Sequence, residues 1–145
     1  MILTGFKELD AVFKALPRSM DHKTWSAINF DRSKLVVAEM KRQAPVGATH
    51  NLVDSIGSVK LSQKRTELGA VRSGARRSGR YKGYASGFVN LGTKQRRTKR
   101  GANRGRMKAN PFIERSFRAT APAMEAGLAE SARKVIVRTA KRFLK

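Results

Sequence analysis

The sequence predicts an α+β domain: N-terminal helices, a small antiparallel sheet carrying a long basic loop, and a long amphipathic C-terminal helix. Three observations lead there. Apolar residues recur at three and four residues before Pro45 and after Asn110. Between them lie short alternating runs of the strand period. The positive charge collects in that same middle stretch, where Gly and Ser interrupt any periodicity.

Phe6, Leu9, Phe13 and Leu16 fall on one helical face, so a first helix is expected to start after Thr4 and stop at Pro17. Ser19 or Asp21 then caps a second helix with Trp25, Ile28, Leu35, Val36 and Met40 on one side, ended by Pro45. The NFDRS stretch inside it is a point where the helix is expected to bend or restart.

After Pro45 the period changes. Thr49 is expected to cap a single turn through Leu52 and Ile56, with Gly57 stopping it. Three strands are predicted next: SVKLS with Val59 and Leu61 inward, TELGAVRS with Leu68 on one face, and YASGFVNLG with Tyr84, Phe88 and Val89. The basic SGARRSGRYKG connects the last two.

From Phe117 the series Ala121, Met124, Leu128, Ala132, Val135, Thr139 and Phe143 marks the long C-terminal helix. Thr120 offers a cap, and Pro122 is placed in a first turn or at a kink. The expected interior, in one core or at an interface, is Phe6, Leu9, Phe13, Trp25, Ile28, Leu35, Val59, Phe88, Phe112, Phe117, Leu128 and Val135.

The 145 residues are one ordinary domain's worth, so a single domain over 1–145 is expected. Cysteine is absent, which excludes disulfide scaffolds, thiol catalysis and Cys-based zinc sites. The longest aliphatic run, Leu35 to Ala38, is far short of a membrane span, and MILTGFKELDAVF does not read as a secretory signal. The expectation is a protein that remains in the cytoplasm where it is made.

Its 32 Lys and Arg stand against 10 Asp and Glu, a formal charge of +22. Residues 72–108 carry 13 basic and no acidic residues, so +13 of that charge lies there. Arg72, Arg76, Arg77, Arg80 and Lys82 belong to a basic segment at 72–83. Lys94, Arg96, Arg97, Lys99, Arg100, Arg104, Arg106 and Lys108 belong to another at 94–110. Such composition buries no core, so both segments are expected to be flexible until a partner orders them, and all thirteen cations are candidates for contact with a partner or with DNA.

Catalytic constellations are not visible. His22 and His50 lack any spacing that would pair them as metal ligands. Glu39, Asp54 and Glu67 are scattered and are expected to pair with neighbouring cations, which leaves no acid and base pair and no acidic nuclease site. Ser55 beside His50 and Asp54 is a coincidence of neighbours, without a nucleophile elbow. The glycine-bearing GARRSGR and GANRGR do not match a phosphate loop. No enzyme activity, cofactor or metal is expected. Tyr81 and Tyr84 lie off the core stripes and have two readings, stacking on a base or anchoring the base of the loop.

Ala44-Pro45-Val46 at a helix end, followed by Thr49, Leu52, Ser55 and Ile56, resembles the "APV-x-T-G-x-L-x-x-S-I" signature of the tailed-bacteriophage tail-completion (head–tail neck) protein family. Leu91-Gly92-Thr93 resembles its "E-F-G-T" element, and Asn110-Pro111-Phe112-Ile113 its "x-P-F-L-x-P-A" element ahead of a long helix. The opening Gly5-Phe6-Lys7-Glu8-Leu9 agrees, and the match runs along nearly the whole chain. Asn90 stands where that family usually has an acidic residue, Gly47–His50 is about one residue longer, and 94–110 is longer and more basic.

The resemblance implies a structural virion protein that forms a ring, hexameric like the tail, between head-closure (stopper) proteins and the tail terminator or tail tube. It implies assembly in the host cytoplasm, passage of DNA through the ring and transient contact with it. Thr49, Leu52, Ile56, Gly92, Thr93 and Phe112, in or beside the motifs, become candidates for the subunit interface. A heterologous interface closes into a ring when its rotation allows. For the basic loop three readings stand: docking on acidic faces of neighbouring proteins, contact with DNA in the lumen, or a solvated loop. The alternative function is a freestanding basic nucleic-acid-binding protein.

Overall fold

The computed structural model describes residues 6–62, 69–78 and 80–143. The architecture is α+β: five α-helices, one 3-10 turn and a two-stranded antiparallel sheet among the described residues. The described residues group into two compact units. Unit 1 takes 6–33, 59–62, 69–72 and 122–143; unit 2 takes 34–58, 73–78 and 80–121.

Helix α1 spans Phe6–Ser19 and runs through Pro17. A proline so near a helix end removes only one intrahelical bond, and the Met20 N–H still reaches the Leu16 carbonyl at 2.9 Å. Val12 is its buried side chain, whereas Leu9 and Phe13 are exposed. Phe6 has a side chain outside the described residues.

Helix α2 spans His22–Gln43 without a break at NFDRS. Asp21 caps it, Oδ1 accepting the Thr24 N–H at 2.8 Å, and that bond holds the Asp21 carboxyl below its usual range. Ser33 satisfies its hydroxyl on the Phe30 carbonyl at 2.7 Å and so tolerates mid-helix burial. The buried stripe is Ser26, Ser33, Val36, Met40 and Ala44. It corrects the expected face: Leu35 is 43% exposed, and Trp25 and Ile28 are half-buried.

In unit 1, Asn29 donates to the Gly69 carbonyl at 3.1 Å and Arg32 Nη2 to Ser131 Oγ at 3.0 Å, tying α2 to the C-terminal helix. Lys60 lies 5.2 Å from the Phe30 ring centroid. In unit 2 the interior is Val36, Met40, Ala44, Ile56 and Phe112, with buried Ser55, Ser86 and Ser116.

Helix α3 spans Asn51–Ser55, and His50 rather than Thr49 stands at its N-cap, at φ +51°. Ile56 does not belong to this turn. It opens strand β1, Ile56–Lys60, which also contains Gly57. Strand β2 is Val71–Ala75, so the expected strand starts later than its sequence pattern, and Thr66, Glu67 and Leu68 lie outside the described residues. Arg76 N–H bonds the Ser55 carbonyl, Leu61 N–H bonds the Ala70 carbonyl, and the Ser58 and Ser73 hydroxyls meet at 2.8 Å. All three pairs fit one antiparallel register. Val59, expected inward, is 39% exposed.

The third expected strand is absent. YASGFVNLG forms a 3-10 turn, Gly83–Ala85, and helix α4, Ser86–Leu91. Tyr84 and Phe88, four residues apart, fit a helical period as well as an extended one, Leu91 continues only the helical one, and Gly92, at φ +75°, ends the helix. Phe88 is thereby 61% exposed and does not belong to the core of its own chain.

Helix α5 spans Phe112–Phe143, about 48 Å at 1.5 Å per residue. It starts at Pro111 and Phe112, as the resemblance implied, and Thr120 is not its cap: that hydroxyl bonds the Ser116 carbonyl at 2.8 Å. Pro122 sits inside the helix, where its missing N–H leaves the Arg118 carbonyl without a helical donor. Phe112 is fully buried, Phe117 is 41% exposed, and Leu128 and Val135 are half-buried.

Candidate interaction surfaces: a groove and a basic ribbon

Unit 2 carries two exposed surface features. The first is an open apolar groove of about 540 Å³, whose walls include Pro45, Val46, Thr49, Leu52, Tyr84, Val89, Met107 and Asn110. Lys82 and Lys108 provide its charge. The end of α2 at Pro45 and the left-handed His50 turn place one wall; the 3-10 turn and α4 place the other. Tyr84 in the groove wall is 60% exposed, and on α4 Phe88 and Leu91, three residues apart on one helical side, are 61% and 79% exposed. The sequence pattern did not show Phe88 and Leu91 on one side because it was read as a strand, with Phe88 in one core or at an interface.

The second feature is the segment after Gly92. Gly92 approaches the backbone so closely that an added Cβ would lie 2.8 Å from both Ala109 N and Met107 O. From there the chain forms a hydrogen-bonded ribbon. Thr93 N–H bonds the Met107 carbonyl and its Oγ1 accepts the Met107 N–H, both at 2.9 Å. Arg96 N–H bonds the Gly105 carbonyl, and Arg104 N–H bonds the Arg96 carbonyl, so Arg104 and Gly105 together face Arg96 as a bulge. Arg97 bridges Asn103 antiparallel. At the tip the Thr98 carbonyl accepts the Gly101 N–H, the Thr98 N–H bonds the Ala102 carbonyl, and the Thr98 hydroxyl accepts the Ala102 N–H at 3.1 Å. This is a turn closed by a left-handed glycine, Gly101 at φ +84°.

Lys94, Arg96, Arg97, Lys99, Arg100, Arg104, Arg106 and Lys108 all lie on this ribbon or at its base, and all are exposed. None makes an ion pair among the described residues. A further open cleft at the ribbon's base is lined by Leu91, Gly92, Thr93, Lys94 and Arg106 among others.

The cations of 72–83 are placed differently. Arg72 is an exposed residue of β2, and Arg77 and Arg80 are exposed. Arg76 is structural: its Nε reaches the Ser55 carbonyl at 3.2 Å and its guanidinium carbon sits 3.5 Å from the Tyr81 ring centroid. Arg80 is 5.5 Å from the same ring. A hydrogen bond from Arg80, then the charges of Arg76 and Arg80, hold the Tyr81 hydroxyl below its usual range. Tyr81 therefore anchors the loop base.

Of the six interface candidates, Thr49 and Leu52 line the groove, and Gly92 and Thr93 form the ribbon's root. Ile56 and Phe112 are interior residues of unit 2, fully covered by their own chain: Phe112 lies where its core reading put it, and Ile56 moves from interface candidate to core. Glu39 pairs with Arg42 at 2.6 Å as expected of it, whereas Asp54 makes no ion pair among the described residues. Among the described residues no group of three or more His, Cys, Asp or Glu side chains is placed to hold a metal ion, and no helix is long and apolar enough to cross a membrane. No protein-family model, curated protein or solved structure matches this chain.

Proposed function

We propose that this chain is a structural subunit of a ring at the head–tail junction of a tailed bacteriophage, joining head-closure proteins to the tail and leaving a passage for DNA. The observation that carries the reading is the pairing, within unit 2, of two exposed apolar side chains (Phe88, Leu91) with an apolar groove (Val46, Leu52, Tyr84, Val89, Met107). A ring needs two different, complementary patches on each subunit, one for each neighbour. Exposed apolar side chains grouped in this way mark contact surfaces. The resemblance supplies further support: Pro45, Val46, Thr49 and Leu52 of its first motif and Asn110 of its third line one groove. In this reading Phe88 and Leu91 of one subunit seat in the groove of the next. The hexameric count, the virion location and the neighbouring head and tail proteins come from the resemblance alone.

The test is the double variant Phe88→Asp, Leu91→Asp. Native mass spectrometry and negative-stain microscopy should show rings for the parent and monomers for the variant, with the same far-UV circular dichroism. A parent that stays monomeric, together with a variant that still joins heads to tails, overturns the reading.

A further inference from the structure

We propose that the ribbon from Thr93 to Met107 is a sequence-independent grip for double-stranded nucleic acid. It goes beyond the ring reading and does not depend on it, since one subunit presents the whole element.

Side chains along a strand alternate between faces. Gln95 Nε2 reaches Asn103 Oδ1 at 2.6 Å, and Arg97 bridges Asn103, so Gln95, Arg97 and Asn103 share one face. Lys94 and Arg96 fall on the other face, with Arg104 hydrogen-bonded across from Arg96. Lys99 and Arg100 occupy the turn at the tip. The ribbon is cationic on both faces and at its end.

That distribution selects the partner. An acidic protein surface meets one face of a ribbon and leaves the opposite cations unneutralised. A duplex groove puts a phosphate strand along each side, and a major groove about 12 Å wide admits a two-stranded ribbon. The outgoing arm, Thr93 to Thr98, would be about 20 Å long at the extended rise of 3.3 Å per residue, within one helical turn of DNA, about 34 Å.

Two further features shape the specificity. Residues 92–111 contain no aromatic side chain, so the ribbon has no platform on which unpaired bases would stack. The two amides that would read adenine edges are engaged within the ribbon, Gln95 with Asn103 and Asn103 also with the Gly105 N–H at 2.7 Å. Contacts to phosphates without contacts to bases hold a protein on DNA while letting it slide.

The experiment measures fluorescence anisotropy of a mixed-sequence 30-base-pair DNA, the matching single strand and poly-glutamate, titrated with the parent protein and two charge-matched variants. One carries Arg96→Ser, Arg97→Ser, Lys99→Ser and Arg100→Ser on the ribbon; the other carries Arg133→Ser, Lys134→Ser, Arg138→Ser and Lys141→Ser on α5. Circular dichroism confirms that each is folded. With about five phosphates engaged, the parent slope of log K against log salt is about −4.5, a loss of roughly 500-fold between 50 and 200 mM. The ribbon variant should lose most of that slope, the α5 variant should retain it, and a second duplex of different sequence should bind within about threefold. Equal losses in both variants reduce the effect to net charge and overturn the proposal. Tighter binding of the single strand, or of poly-glutamate, overturns it in favour of stacking or of an acidic protein partner.

Discussion

Asn90, near the end of α4, accepts the Ile113 N–H in the first turn of α5 through its Oδ1 at 3.3 Å, although 23 residues separate them. The adjacent Asn110 N–H bonds the Val89 carbonyl at 2.9 Å, so α4 and the start of α5 are fastened together at two points. The first N–H groups of a helix have no partner within it, and the positive end of the helix dipole favours negative charge there. An acidic residue, which the resembling phage family usually carries at this place, would serve the same acceptor role with a charge added.

Asn90→Asp should therefore stabilise unit 2 by about 0.3–1 kcal/mol at neutral pH, and Asn90→Ala should destabilise it by about 1 kcal/mol. Urea denaturation midpoints check both. Equal midpoints for all three proteins would remove the capping role.

Gly92 and Gly101 have similar backbone angles, φ +75° and +84°, and different surroundings. A Cβ at Gly101 meets nothing within 4 Å, so Gly101→Ala should cost only the left-handed strain, about 1–2 kcal/mol of local ribbon stability. A Cβ at Gly92 lies 2.8 Å from two backbone atoms that have no freedom to move aside, so Gly92→Ala should cost about 2–5 kcal/mol. Amide hydrogen exchange at the tip and at the root of the ribbon separates the two effects.

Phe112 and Phe117 occupy neighbouring turns of α5 and should respond unequally to truncation. Phe112, fully buried, should lose about 3–5 kcal/mol as Ala. Phe117, at 41% exposure, should lose about 1 kcal/mol or less. Comparable losses would mean that the helix is rotated from the face described.

Arg42 hydrogen bonds, with Gln43, bring the Glu39 carboxyl from the ordinary 4.5 down to about 2. A depressed folded-state pKa means that the pairing contributes stability above pH 4.5, and that the contribution fades as the pH falls through the window to about 2. Carboxyl carbon NMR should place the Glu39 midpoint near the bottom of that window, and Arg42→Ala should return it toward 4.5. A midpoint already ordinary in the parent would remove the pairing as a determinant of acid stability.

The helical ends of the chain were legible because a 3.6-residue period is local information: α1, α2 and α5 all lie where Leu9 to Leu16, Leu35 to Met40 and Leu128 to Val135 placed them. Asp21 and Pro111 likewise mark helix starts through bonds or angles made within a few residues. The groove's Thr49 and Leu52, and the ribbon's eight cations, were visible as motif and charge. Which face each helix buries was decided by packing, because Ser26 and Ser33 hold the buried stripe of α2 while Leu35, far more apolar, stays outside. Tertiary contacts made YASGFVNLG a helix: Tyr84 and Phe88, four apart, satisfy both periods, and the bonds from Val89 and Asn90 to the α5 start favour the helical one. The ribbon needed the long-range ladder between Thr93 and Met107. Residues rich in charge and glycine have no apolar pattern from which to read a strand, yet their backbone groups still find partners once Gly92 and Gly101 let the chain turn back on itself.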